Sequence, residues 1–293
     1  MPIWKNYYLA RSVEDALQAL ASAQGPALPI AGGTDLLLDL QQGRHAPVDT
    51  LVDLNAIPEM TVIELRAAAL YIGAAAPLRL LAELALVKQH AQALVEACGQ
   101  VGGPQVRNAA TLGGNVAHSL PAADGSIALA ALNAQAEVAT SAGRRRVPIG
   151  ELYRGPGRSA LEAGREIVVG FYLPLSGKGQ ASAFQRVMRP QGVALPVLNM
   201  ALWLSRDGET IGDARLAVGP AGPVPFRARK TEEVLRGQPL NAETLTQAQA
   251  VLVTEARFRT SPHRATAEYR QHLAGHLLAE VLAKVWQRTE EEL

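Results

Sequence analysis

The amino-acid sequence predicts an α+β fold in two parts, on the basis of three observations. Up to Pro174, short apolar segments typical of strands lie between segments with the spacing of amphipathic helices. The run Pro-Leu-Ser-Gly-Lys-Gly at residues 174–179 is the strongest candidate for a linker. Beyond this run, strands come first and helices follow, without the regular alternation that indicates a parallel α/β sheet.

The elements of the first part have local signals. Ser12 is a typical N-cap, and carboxylates and an apolar face follow it, so we expect a helix over residues 12–21. The other expected elements are a short strand before Gly32, a helix over residues 36–40, strands over 51–54, 61–66 and 69–72, helices over 78–86 and 90–98, a glycine-rich stretch over 99–114, a helix over 121–132, a hairpin of 137–139 with 145–149, and a strand over 166–173.

The second part is expected to pair its strands into an antiparallel sheet. The dipeptide Asp207-Gly208 between two apolar runs is a strong hairpin signal, because both residues tolerate the backbone of a tight turn. The expected elements are strands over residues 184–188, 198–204 and 214–218, followed by helices over 231–235, 242–256 and 265–286.

Charge and hydropathy exclude two classes of function. The 28 basic and 27 acidic residues give a net charge of +1, which provides no cationic field for binding a nucleic acid. We interpret the cationic run at residues 144–146 as a solvated turn between two strands. No apolar run reaches the roughly 18 residues of a membrane span. The first residues lack the apolar segment of a secretory signal, so the cytoplasm is the expected location.

The chain contains a single cysteine, Cys98. One cysteine cannot close an internal disulfide, and it cannot hold a structural zinc ion or an iron–sulfur cluster. We expect Cys98 to be a small buried residue rather than a reactive thiol. Any cluster that works with this chain must therefore belong to a partner.

A glycine pair follows the first predicted strand, in the sequence Pro-Ile-Ala-Gly-Gly-Thr-Asp-Leu at residues 29–36. Glycines let backbone N–H groups approach an anion closely, and amides in such a turn bind pyrophosphate well. Thr34 can add a hydroxyl donor. The Rossmann and P-loop fingerprints are absent, so a tight turn capped by Thr34 or Asp35 is the alternative interpretation.

A second glycine pair, Gly113–Gly114, is predicted to form another turn, with Thr111 before it and Asn115 after it. Asp124 stands where the next helix is expected to begin. Its carboxylate could accept hydrogen bonds from sugar or ribityl hydroxyls, or simply stabilise the helix N-terminus. Together the two turns predict a dinucleotide-like ligand between two subdomains.

Residues 31–36 and 107–115 resemble the two FAD-binding signatures of the molybdenum hydroxylase flavoproteins. This family includes the medium subunit of carbon monoxide dehydrogenase and the FAD domain of xanthine dehydrogenase. The resemblance covers nearly the whole chain. It implies a two-subdomain FAD-binding fold of the vanillyl-alcohol-oxidase (PCMH) type, followed by a C-terminal α+β flavoprotein domain with an antiparallel sheet and helices. The implied domain bounds are residues 1–57, 58–175 and 181–288.

The resemblance also implies which residues hold a non-covalently bound FAD. Arg186 lies near the position of a family lysine that is close to the flavin. Residues 190–196 contain neither the aromatic nor the acidic residues that many relatives have there. The implied cofactor-binding residues are Pro29, Ile30, Ala31, Gly32, Gly33, Thr34, Asp35, Leu36, Val101, Ala110, Thr111, Gly113, Gly114, Asn115, Asp124, Ile167, Val168 and Arg186.

The function implied by the resemblance is electron transfer in a hetero-oligomeric oxidoreductase. Electrons would come from a small iron–sulfur subunit, which receives them from a large molybdopterin subunit, and would leave the FAD for NAD, a quinone or oxygen. The expected assembly is a dimer of heterotrimers. We expect no catalytic acid, base or nucleophile and no metal ligand in this chain.

Two alternatives are a self-contained flavin oxidase of the same broad fold and a nucleotide-binding scaffold without activity. Oxidases of this kind often tether FAD through His or Cys, and neither His45 nor His118 has a recognisable tethering context. His272 and His276 have the spacing of a zinc helix. Because no third ligand is evident, we expect a solvated helix face there.

Overall fold

A computed structural model describes residues 3–189 and 195–291. The strands are β1 (Asn6–Leu9), β2 (Ala27–Ile30), β3 (Thr50–Asp53), β4 (Ile63–Arg66), β5 (Ala69–Gly73), β6 (Gln135–Thr140), β7 (Gly143–Pro148), β8 (Tyr153–Gly155), β9 (Arg158–Ser159), β10 (Ile167–Pro174), β11 (Gln180–Val187), β12 (Leu198–Asp207), β13 (Thr210–Gly219) and β14 (Phe226–Arg227). The helices are α1 (Val13–Ser22), α2 (Leu36–Gln41), α3 (Pro58–Thr61), α4 (Leu78–Glu83), α5 (Ala85–His90), α6 (Gln92–Gln100), α7 (Pro104–Ala109), α8 (Leu112–Ala117), α9 (Asp124–Ala131), α10 (Arg229–Leu235), α11 (Ala242–Glu255) and α12 (Ala267–Glu291).

The N-terminal sheet is parallel, with the strand order β1-β3-β2. Parallel neighbours need crossover connections, and α1 and α2 lie in those connections. The hydroxyl of Ser12 accepts a hydrogen bond from the backbone N–H of Asp15 at 3.0 Å, which confirms the predicted cap of α1. The buried face of this helix contains Val13, Leu17 and Leu20.

The second sheet is antiparallel, in the order β4-β5-β10-β6-β7. Its central strand β10 is buried along all but its last residue, as its nearly unbroken apolar sequence indicates. An irregularity in the pairing of β10 with β6 lies between Val168 and Gly170. The main hydrophobic core joins this sheet to the helices α4, α5, α6, α8 and α9.

The C-terminal sheet is antiparallel, in the order β11-β12-β13-β14, as the sequence predicted. Alternate residues of β12 face two different cores. Met200 and Leu202 belong to the cluster shared with α11 and α12, whereas Ala201 and Trp203 belong to the core of the first part. Because α6 and α9 pack against this sheet on the side of the first part, the two parts share one interface.

Three expectations need correction. The glycine-rich stretch over residues 99–114 contains α7 and the start of α8, because Pro104 begins one helix and Thr111 caps the other. The helix expected over residues 78–86 is divided at Leu84 into α4 and α5. The arginine run lies on β7 instead of in a turn. Arg144 forms ion pairs with three carboxylates, those of Glu14, Glu59 and Glu137.

None of the helices in the described ranges has both the length and the apolar character needed to cross a membrane. Cys98 is fully buried, as expected, and burial raises the pKa of its thiol far above the usual range. The thiol therefore stays protonated and unreactive near neutral pH.

Candidate functional site

The first glycine segment forms a tight connection between β2 and α2. Gly33 has a φ angle of +66°, a backbone conformation that favours glycine. A Cβ atom added to Gly32 would lie 2.2 Å from the carbonyl oxygen of Ala109 and 2.8 Å from the Cα atom of Ala110. The segment therefore lies directly against the chain that leads into α8, and the fold brings the two predicted signatures together.

The same segment offers unpaired hydrogen-bond donors. Among the described residues, no protein atom accepts a hydrogen bond from the backbone N–H groups of Gly32, Gly33, Thr34 or Asp35. Consecutive free amides at a glycine turn form a concave site for an anion. Such a site fits the pyrophosphate of a dinucleotide, and the absence of a Cβ at Gly32 lets the backbone be approached closely.

The second glycine segment is built differently, and the predicted turn at Gly113–Gly114 is wrong. Both glycines lie in the first turn of α8. The N–H of Gly113 donates to the carbonyl of Ala74 at 2.7 Å, and the N–H of Gly114 donates to the hydroxyl of Thr111 at 3.1 Å. A Cβ on Gly113 would lie 2.7 Å from the same Ala74 oxygen. These amides therefore serve the protein's own packing.

Two side chains connect α8 with neighbouring parts of the site. His118, directly after α8, has its Nε2 atom 3.9 Å from a carboxylate oxygen of Asp35. The side-chain oxygen of Asn115 accepts a hydrogen bond from the N–H of Ser126 in α9 at 3.2 Å. Helix α8 thus lies between the free amides of the first segment and the beginning of α9.

The beginning of α9 carries a buried ion pair with the C-terminal sheet. One oxygen of the Asp124 carboxylate accepts a hydrogen bond from the guanidinium of Arg186 at 2.6 Å, and both side chains are 5% exposed. The other oxygen accepts one from the side-chain amide of Asn199 at 2.6 Å. Burial raises the pKa of Asp124, although the charge of Arg186 and both hydrogen bonds act in the opposite direction.

Asn199 is a site residue that the sequence did not reveal. It lies within an apolar run of β12, where periodicity indicates only a buried strand. A polar residue inside such a run was the available signal, because a buried amide requires hydrogen-bond partners. Its partners lie about 75 positions earlier in the chain, and the sequence does not report that pairing.

The remaining predicted residues line the framework around these groups. Ile167 and Val168 are 2% and 7% exposed on β10, within the main core. Val101 directly follows α6, and its carbonyl accepts a hydrogen bond from Arg107 at 3.1 Å. Pro29 and Ile30 lie on β2, and Ala31 and Leu36 flank the free amides. The stretch over residues 190–196, expected near the flavin face, falls mostly outside the described residues.

No group of three His, Cys, Asp or Glu side chains in the described ranges could hold a metal ion. His272 and His276 are both exposed on α12, with their Nε2 atoms 3.1 Å apart, which agrees with a solvated helix face. Two concavities of about 430 and 170 Å³ lie elsewhere, and no residue of either glycine segment lines them.

Comparisons with known proteins show the family of this chain. The FAD binding domain in molybdopterin dehydrogenase matches residues 4–176, and the CO dehydrogenase flavoprotein C-terminal domain matches residues 182–285. The chain is 32% identical to a putative xanthine dehydrogenase FAD-binding subunit of Escherichia coli, over 95% of each chain. It is 28% identical to the carbon monoxide dehydrogenase medium chain of Hydrogenophaga pseudoflava, over 97% of each chain.

A solved structure gives the same result. The carbon monoxide dehydrogenase structure from Hydrogenophaga pseudoflava superimposes with a TM-score of 0.92 at 26% identity, over 98% of this chain and 99% of that one. These matches fit a subunit of a larger dehydrogenase, and not a self-contained flavin oxidase. The chain therefore belongs to the FAD-binding medium subunits of the molybdenum hydroxylases, the electron-transfer flavoproteins of multi-subunit oxidoreductases.

Proposed function

We propose that this chain binds one FAD non-covalently between subdomains 1–57 and 58–175, with residues of the domain 181–288 completing the site. The observation that supports this most directly is the set of free amides at residues 32–35, which suits the pyrophosphate. Thr34 adds a hydroxyl beside them. Asp124 and Arg186 form the polar end of the site, and Val101, Ile167 and Val168 supply apolar walls.

Second, we propose that the chain works as an electron relay between partner subunits and an external acceptor. Bound flavin supplies the ability to take up electrons singly and to give up two together. The chain's own contribution is to bind and orient the cofactor, since no metal-binding cluster lies within the described residues. A small iron–sulfur subunit and a large molybdopterin subunit are the proposed partners, in a dimer of heterotrimers.

The acceptor, by this proposal, is NAD, a quinone or oxygen, and the complex works in the cytoplasm. The buried thiol of Cys98 stays protonated near neutral pH and is poorly suited to carry electrons, so the flavin is the proposed redox group. Purification of the co-expressed complex tests this part. Molybdenum and iron should co-purify with FAD in fixed ratios, and a chain that carries FAD but associates with neither metal would contradict the relay.

The binding proposal is tested by titrating the purified chain with FAD. A saturable shift in flavin absorbance and fluorescence is expected. Acid precipitation should release the flavin, and flavin that stays with the precipitated protein would contradict non-covalent binding.

A matched pair of glycine variants locates the site. Gly33 and Gly43 both have positive φ angles, +66° and +69°, so alanine strains the backbone at either position. No atom lies within 4 Å of a Cβ added to Gly43, which is exposed at the far end of α2. Gly33→Ala should weaken FAD binding about tenfold or more by displacing the free amides, whereas Gly43→Ala should change it less than about twofold. Equal effects would contradict the placement of the pyrophosphate.

A further inference from the structure

The side chain of Asn199 is fixed by two acceptors from the first part of the chain. It is fully buried, and its Nδ2 atom donates to a carboxylate oxygen of Asp124 at 2.6 Å and to the carbonyl of Ala122 at 3.1 Å. Because both partners only accept, the amide cannot be turned around without placing two oxygens together. Its Oδ1 atom has no partner among the described residues. The asparagine is therefore held as a double donor.

Arg186 lies directly opposite Asn199 in the pairing of β11 with β12. Its guanidinium holds the second oxygen of Asp124, so two adjacent strands of the C-terminal sheet hold the two oxygens of one carboxylate. This arrangement determines both the orientation and the charge of the Asp124 carboxylate. A buried carboxylate that loses one of its donors either takes up a proton or turns towards the remaining partner.

We infer that Asn199 is a positioning residue for the flavin site, which acts by holding the Asp124 carboxylate, ionised, in register with Arg186. The inference rests on the proposed FAD site, in which Asp124 and Arg186 form the polar end. Asn199 itself acts only through Asp124. In this way the C-terminal domain, and not only the two FAD-binding subdomains, determines how firmly FAD is held.

Two substitutions distinguish the positioning role of Asn199 from a role in packing alone. Asn199→Ala removes both donors, so FAD should bind about tenfold more weakly at every pH from about 5.5 to 8.5. Asn199→Asp keeps the shape but places two carboxyl groups together, and such a pair holds one shared proton until the pH is raised. With that proton, Asp at position 199 still donates to Asp124. FAD affinity should therefore be near that of the wild type at about pH 5.5 and fall about tenfold or more by about pH 8.5.

The surroundings allow this pH dependence to be assigned to the carboxyl pair. The groups that face it are Arg186 on β11 and Cys98 on α6. Farther from the pair, Tyr153 on β8 lies near Ser126 of α9, and Arg227 on β14 donates to the carbonyl of Ala130. Burial raises the pKa of both Cys98 and Tyr153 far above neutrality, so neither changes its charge over this range. The wild type, titrated in parallel, corrects for other groups.

Ser182→Ala serves as the matched control. The hydroxyl of Ser182 is also buried, and it accepts a hydrogen bond from the N–H of Ala93 across the same interface at 3.1 Å. This variant should lose stability but keep its FAD affinity within about twofold at each pH. Circular dichroism checks folding, and the pH dependence of Asn199→Asp tests the inference even if Asn199→Ala does not fold.

The outcomes are distinguishable. A wild type that takes up no FAD overturns the proposed function and this inference with it. If the wild type binds FAD and both Asn199 variants bind it as tightly as the wild type at both ends of the pH range, only the role of Asn199 is overturned. Loss of affinity in Asn199→Asp that is equal at all pH values would also contradict it, because that pattern indicates disturbed packing.

Discussion

The two glycine segments look alike in sequence but are used differently in the structure. In the first, the backbone amides of residues 32–35 have no acceptor within the part of the chain that the structure describes, which suits the proposed pyrophosphate site. In the second, the amides of Gly113 and Gly114 are bonded to Ala74 and Thr111, and the missing Cβ of Gly113 lets α8 approach the chain beyond β5. A glycine pair can therefore serve a ligand or serve close packing. Only the hydrogen-bond partners of its amides distinguish the two uses.

The largest effect is expected from Gly32→Ala, because this glycine packs against Ala109 and also lies in the proposed pyrophosphate site. Its new Cβ would lie 2.2 Å from a backbone oxygen of Ala109, which no side-chain rotation can relieve. The free energy of unfolding should fall by about 3 kcal/mol, and FAD should no longer saturate the folded protein. Thermal and urea denaturation with and without FAD measure both quantities. A variant with unchanged stability would contradict the close contact between the segments.

Gly113→Ala should affect stability but not affinity. Its Cβ would lie 2.7 Å from the backbone oxygen and from the Cβ of Ala74, so α8 must shift. The expected loss is about 2 kcal/mol of unfolding free energy. The dissociation constant for FAD, measured on the folded protein, should change less than about threefold. If affinity falls far more than stability, the second segment also serves the ligand and the contrast fails.

The sequence predicted the first segment better than the second for a physical reason. Glycine has low helix propensity, so two adjacent glycines indicate a turn. At Gly113 that preference is overridden by the Thr111 cap and by packing against Ala74, a contact between residues distant in sequence. The 137–149 hairpin, the antiparallel C-terminal sheet and the buried Cys98 followed from local patterns. Asn199 and the bridging Arg144 did not, because their partners lie far away along the chain.

Thr111→Val tests the N-cap of α8 separately from the two glycines that follow it. The hydroxyl of Thr111 accepts a hydrogen bond from the N–H of Gly114. Valine keeps the shape of the threonine side chain but removes that acceptor. Loss of an N-cap should lower the free energy of unfolding by about 1 kcal/mol. FAD affinity should stay within about twofold of the wild type. Denaturation curves and FAD titration on the same samples test this, and a large fall in affinity at unchanged stability would show that Thr111 contacts the ligand.

Thr34→Val is the counterpart in the first segment and should have the smallest effect. The side chain of Thr34 is partly exposed, and within the described residues its hydroxyl forms no hydrogen bond with the protein. Stability without FAD should therefore be unchanged. Loss of one hydroxyl donor to the ligand should weaken FAD binding by about 1 kcal/mol, or roughly fivefold. If the segments differ as described, Thr111→Val lowers stability but not FAD affinity, and Thr34→Val lowers FAD affinity but not stability. An unchanged FAD affinity in Thr34→Val would contradict a ligand contact of Thr34 beside the free amides of residues 32–35.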